Sequence, residues 1–336
     1  MGKVRIAAVC AAALALGLWA CGAVDGPGGA LWRSADAREP AAPELPEIQI
    51  AWHPDRPVQG TLLQLIVRPE DGTGDPDAIA EVRGEFAGEP LHFVRDRSGA
   101  YRALAGLPIT VEDSIQAAVF IEDRAGGIHP RFVWLPVAAG EYRHERLTVA
   151  PRYGTQPTPE IAERIAREAE QAREVSRRSH DTPRLWQGAF LRPRDSRITS
   201  GFGHGREFNG EVQSRHMGVD FAGAVGAPVR ATNRGVAALV ADFYLAGTAV
   251  YIDHGGGLVT GYFHLSKAEV AQGDTVEAGQ IIGRVGATGR VTGPHLHWIA
   301  RYGTVTVNPL SLLELDPADW PEPAPAAQES ADWPSP

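Results

Sequence analysis

Five side chains in the last third of the chain have the types and spacing for metal chemistry. His216-Met217-Gly218-Val219-Asp220 offers an imidazole and a carboxylate four positions apart. On a helix both would share a face, but Gly218, Val219 and Phe221 are poor helix residues there and Gly223 follows closely. The segment reads as a loop entering a strand. In His295-Leu296-His297-Trp298-Ile299 the two histidines stand at i and i+2, which point to the same face of a strand. Gly293-Pro294 marks a turn before them, and Trp298 and Ile299 suit a strand continuing into a sheet. His264 ends another strand-like run, Gly257 to Phe263.

A hydrolytic zinc site needs three protein ligands and an open position for water. It also needs a base and a group to steady an oxyanion. Two neutral histidines and one aspartate on Zn²⁺ leave a charge of about +1, which helps lower the pKa of bound water. Two histidines then remain for proton transfer and oxyanion stabilisation. The counts match, and spacing alone does not separate ligand from catalyst. Cysteine cannot supply the ligands, because the only two are Cys10 and Cys21, both near the start.

The elements that must position these residues can be read along the chain. Lys3 and Arg5 precede an uncharged Ala- and Leu-rich run, Ile6 to Ala20, so residues 1–20 read as a secretory signal. Leu18-Trp19-Ala20-Cys21-Gly22 resembles a bacterial lipobox, in which Cys21 would carry lipid; Trp19 is bulkier than usual there. The alternative is ordinary signal cleavage and a soluble secreted chain. Residues 21–45, rich in Gly, Ala and Pro, read as a flexible tether. Residues 46–150 carry short β-type runs such as Ile48 to Trp52, Thr61 to Val67 and Ala117 to Ile121, separated by turn clusters. They predict an antiparallel β-sandwich, immunoglobulin-like in outline. His53, His92, His129 and His144 are scattered within it without ligand spacing, and are expected to be structural or surface residues.

Residues 151–189 form a linker with a helix over 158–179. Thr158 can N-cap it, Pro159 suits its first position, and Ile161, Ile165, Ala169, Ala172 and Val175 make one face. That stripe predicts a packed helix. Residues 190–314 return to strands and turns, and 315–336 read as a disordered tail. The fold class is therefore mainly β. The net charge of −9 argues against a nucleic-acid partner.

Several linked motifs in order carry a family resemblance. They are Ile198-Thr199-Ser200-Gly201-Phe202-Gly203, His216 to Asp220, Gly226-Ala227-Pro228-Val229, Ile252-Asp253-His254-Gly255, Tyr262 to Leu265, Gly279-Gln280-Ile281-Ile282-Gly283, and Gly289 to His297. Over about residues 198–309 the chain resembles the lysostaphin/LytM-type zinc metallopeptidases. The resemblance implies an antiparallel sheet with a groove between loops. It assigns His216, Asp220 and His297 as ligands of one Zn²⁺ per chain, and His264 and His295 as catalytic. It implies cleavage of peptide stems or crossbridges of peptidoglycan in the cell envelope or periplasm, with peptidoglycan peptides as partners. Some relatives lack ligands and only activate other wall hydrolases; here all five residues are intact. Trp298 and Ile299-Ala300 depart from the more usual Phe-Glu-Val, and Phe263 fills a position that is often small. His254 is expected to be structural and His204 to have no ligand role. Arg206 and Asn209 are candidates to line the groove. The Gly-rich run 283–293 lacks a phosphate-loop ending and is expected to be a tight turn leading to the site.

Overall fold

Period-two burial organises the first half of the chain. Along Ser114–Asp123, Ala117, Val119 and Ile121 are fully buried while alternate residues face outward. The computed structural model describes residues 44–210 and 212–323. Ile48–His53, Leu62–Pro69, Tyr101–Gly106 and Val94–Arg95 lie side by side in that order as one antiparallel sheet. Glu89–His92, Ile79–Phe86, Ser114–Asp123 and Ile128–Pro136 form the second. Val67 and Tyr101 of the first sheet meet Val82, Val119 and Ile121 of the second in a shared core, so the two sheets form a sandwich. Ile79–Phe86 leaves little trace in the sequence pattern because its outward positions are Glu81, Arg83 and Glu85.

Leu62 to Val67 is buried on both faces. The second face is covered by the 3₁₀ turn Pro309–Glu314, where the Ser311 hydroxyl accepts from the Leu62 N–H at 3.3 Å. A strand covered on both sides reads as an almost unbroken apolar run, as this one does.

The last strand before the linker does not join the sandwich. His144–Leu147 pairs in parallel with Gly205–Phe208, which pairs with Val212–Arg215. The sandwich boundary expected at 150 therefore falls earlier, and pairing between segments so far apart leaves no local signature.

Helix Pro159–Arg178 starts as expected: the Thr158 side chain accepts from the Ile161 N–H at 3.4 Å, and proline opens the first turn. Ala172 and Val175 pack against Tyr251, Val259, Phe263 and Ile299 of the C-terminal sheet. That sheet has ten antiparallel strands. Its central order is Ile198–Ser200, Val219–Ala222, His295–Tyr302, Leu258–Ala268, Gly247–Gly255 and Gly235–Phe243.

Two sequence expectations change at the ends. Residues 315–323, expected within a disordered tail, include the 3₁₀ turn Pro317–Asp319 and a buried Trp320 packed edge-on against Trp186, ring centroids 5.0 Å apart. An apolar anchor after a polar stretch is enough to order it. The signal, the Cys21 anchor, residues 21–43 of the tether and residues 324–336 of the tail lie outside the described residues. No helix among the described residues is long and apolar enough to cross a membrane.

His254 is fully buried behind the sheet. Its Nδ1–H donates to the Arg234 carbonyl at 2.8 Å and its Nε2 lies 2.8 Å from the Thr260 hydroxyl. Both ring nitrogens are used structurally. Burial pushes its pKa down to about 4, against the pull of the Arg234 carbonyl. The unfolded imidazole titrates near 6.5, so this residue's contribution is complete above that pH and is lost as pH falls towards 4, at about 1.4 kcal/mol per unit. We expect denaturation midpoints of the wild type to fall over that window. A His254→Asn chain should be less stable at pH 7.5 and show a flatter decline; equal slopes would refute the assignment.

Candidate metal centre

Strand register brings the candidate ligands together. Val219–Ala222 and His295–Tyr302 are antiparallel neighbours, with Asp220 directly opposite His297 and Ala222 opposite His295. Val219, Phe221, Leu296 and Trp298 are fully buried on one face. Alternation therefore turns Asp220, His295 and His297 to the other face together. A one-residue slip would bury the polar set and expose the core. Further along that face Ile299 and Arg301 meet the helix, Arg301 donating to the Ala172 carbonyl at 3.0 Å.

His216 reaches the cluster from the turn before Val219, as a loop entering a strand. Gly218 makes room for it: a Cβ there would stand 2.6 Å from the Trp298 carbonyl oxygen and 2.8 Å from His297 Nε2. The His216 Nδ1–H donates to the Gly201 carbonyl at 2.6 Å, which leaves Nε2 with its lone pair facing the cluster.

Three donor atoms converge. His216 Nε2 lies 3.0 Å from Asp220 Oδ1 and 2.9 Å from His297 Nδ1, and the last two are 2.7 Å apart. Tetrahedral zinc with bonds of about 2.1 Å spaces its ligand atoms by about 3.4 Å. The triangle needs to open by about 0.4 to 0.7 Å along its edges, and its nitrogen, nitrogen and oxygen donors suit a borderline cation. Burial opposes ionisation of Asp220, yet its close contacts with His216 and His297 outweigh it and hold its pKa well below the usual carboxylate range. Burial pushes His297 down to about 4, despite Asp220 beside it. An ionised carboxylate with neutral imidazole is the state a metal requires.

His264 sits on a bulge. Thr248 opposes Leu265 and Val250 opposes Tyr262, so two residues of Leu258–Ala268 face one of Gly247–Gly255. His264 takes φ of 61°, a left-handed conformation uncommon outside glycine. Its N–H is held by the Ala246 carbonyl at 2.9 Å. Bulges re-aim side chains, and this one brings the His264 ring centroid within 4.8 Å of that of His295. The Nδ1–H of His264 donates to the Thr288 carbonyl at 2.8 Å, and that of His295 to the Gly293 carbonyl at 2.9 Å. Both keep Nε2 free, and His295 Nε2 is 3.7 Å from Asp220 Oδ1. Burial, then His295 and His297, drive the His264 pKa well below 6.5. Its imidazole is therefore neutral.

The structure thus gathers all five residues singled out from sequence. Others were missed or misjudged. Arg206 donates to Asp220 Oδ2 at 2.6 Å and to Glu145 at 3.1 Å. Glu145 also accepts from Ser200 at 2.9 Å and His204 Nδ1 at 2.9 Å. His204 therefore has a carboxylate partner and stands outside the donor triangle. Asn209 does not line the groove; its amide clamps the Val149 backbone at 3.0 and 3.1 Å. Glu145 carried no motif and became visible only through the parallel pairing of its strand. The cluster opens into a groove of about 340 Å³ whose walls include Glu145, Arg206, Phe208, Arg290 and residues 291–295.

Residues 214–309 match the family model described as Peptidase family M23. The chain carries an M23 peptidase domain. The relative named DD-carboxypeptidase/endopeptidase Mpg, from Neisseria meningitidis serogroup B, is 43% identical over 128 residues, 37% of this chain and 30% of that protein. Peptidoglycan DD-endopeptidase ShyA of Vibrio cholerae serotype O1 is 48% identical over 83 residues, 25% of this chain and 19% of its own. The match thus spans about a third or less of these relatives. A crystal structure of a candidate peptidase M23 from Pseudomonas aeruginosa superposes with a TM-score of 0.59 at 28% identity, over 77% of this chain and 95% of that one. That likeness runs well beyond the M23 domain, so the β-rich region upstream is shared too.

Arg206 orients Asp220 from behind, as outer-shell partners of metal ligands do. Arg206→Gln should leave the fold intact and weaken zinc affinity by about 10- to 100-fold, read by chelator competition. Unchanged affinity would show that Asp220 is oriented without it.

Proposed function

We propose that this chain is a zinc-dependent endopeptidase that hydrolyses peptide stems or cross-links of bacterial peptidoglycan. One observation carries the reading: the buried His216 and Asp220 and the half-buried His297 converge beside His264 and His295, whose Nε2 atoms are free. The relatives named as peptidoglycan endopeptidases supply the substrate class. His216, Asp220 and His297 hold the ion. When bound, zinc polarises the scissile carbonyl and lowers the pKa of a coordinated water.

The protein's own groups do the rest. His264, kept neutral by burial, accepts a proton at Nε2. His295, next to Asp220 and fixed by the Gly293 carbonyl, can likewise accept the water proton at Nε2 and, once protonated there, return it to the leaving amine. The Thr288 and Gly293 carbonyls set both tautomers, so neither ring must turn over before proton transfer. Export across the inner membrane and a lipid on Cys21 would deliver this domain to its substrate in the envelope.

His216→Ala should abolish both zinc content and release of muropeptides from purified sacculi. His295→Ala should retain stoichiometric zinc and lose about 10²- to 10⁴-fold in rate. Loss of zinc in His295→Ala, with zinc kept in His297→Ala, would overturn the ligand assignment. Intact sacculi with zinc-loaded wild type would overturn the enzymatic reading.

A further inference from the structure

The groove contains two buried or half-buried arginines with different fates. Arg206 is used internally, bound to Glu145 and Asp220. Arg290 is not. Its guanidinium lies over the Phe208 ring, 4.2 Å from the centroid. No carboxylate or carbonyl among the described residues takes a hydrogen bond from it, and its nitrogens are not among those sealed from solvent. Its backbone is fixed, the N–H donating to the Leu245 carbonyl at 2.9 Å. Arg290 thus presents a pre-positioned, unneutralised cation to the cavity that holds Asp220, His264 and His295.

An unpaired guanidinium in a half-closed groove costs desolvation that a ligand must return. Its planar fork matches a carboxylate, which can accept two parallel N–H bonds. Its place over the Phe208 ring restrains the guanidinium and leaves its N–H groups for the ligand. We propose that Arg290 is the receptor for a free carboxylate carried by the peptide substrate close to the scissile bond. This rests on the peptidase reading above and makes the enzyme selective for acidic over amidated peptides. The carboxylate is either the terminal one or one on a side chain.

Three forms of one synthetic stem peptide separate these sources: both carboxylates free, the terminal one amidated, and the side-chain one amidated. Calorimetry on the metal-loaded chain and kcat/KM are measured for each. Amidation of the recognised group should weaken wild-type binding by about 10- to 100-fold. Arg290→Gln should lose the same factor on the free acid and nothing further on the amide, with an unchanged melting temperature. Arg290→Lys should recover part of the loss, since it restores charge without the fork. The proposal falls if Arg290→Gln separates acid from amide as well as wild type does, or if wild type does not discriminate or bind. Arg290-dependent binding without digestion of sacculi would sink the peptidase reading and leave this receptor standing.

Discussion

The site depends on one cross-strand pair, Asp220 opposite His297. Nothing polar sets that register. It is set by the opposite face, where Val219, Phe221, Leu296 and Trp298 have no exposure at all. Burying a large apolar side chain contributes about 1.5–3 kcal/mol, so four of them outweigh any preference the polar face has. The geometry of the donor cluster is thus enforced from behind, by side chains on the opposite face of the sheet. His295 follows automatically, since it shares the period-two face with His297.

Two residues do not follow from sheet alternation, and both require an unusual backbone. His264 occupies a left-handed conformation on a bulge, which costs of order 1–3 kcal/mol. Gly218 allows a close approach that any side chain would block. Around these points the sheet is heavily over-determined: Leu265 and Tyr262 on either side of His264 are fully buried, and Tyr262 is bonded through its hydroxyl to Thr232. Local strain is tolerable because it is anchored at both ends by core.

What was legible in the sequence follows the same division. The paired histidines on a strand, the loop before Asp220 and the capped helix are local patterns, and each reads from a few neighbouring residues. The His264 bulge was not readable, because it arises from a mismatch between two strands rather than from either. Ile79–Phe86 hid behind its charged outward face, and Trp320 looked like part of a polar tail. Glu145 was the most distant from view. Its role exists only because His144–Leu147 lies parallel to Gly205–Phe208. The ligand and catalyst roles came from family resemblance, since spacing left the histidines equivalent.

Glu145 also shows why the sandwich and the M23 domain are not independent. The strand that leaves the sandwich supplies the carboxylate that fixes Arg206, and Arg206 fixes Asp220. On the far side Glu89 accepts from the Thr304 N–H at 2.8 Å and pairs with His180 of the linker at 2.9 Å. Shifting the sandwich would therefore disturb Asp220 through two charged contacts. In a groove where Glu145 and Asp220 jointly neutralise Arg206, Arg290 is the half-buried cation left without a hydrogen-bond partner among the described residues. The same pairing that rigidifies the donor cluster thereby takes Arg206 out of the charge presented to the groove.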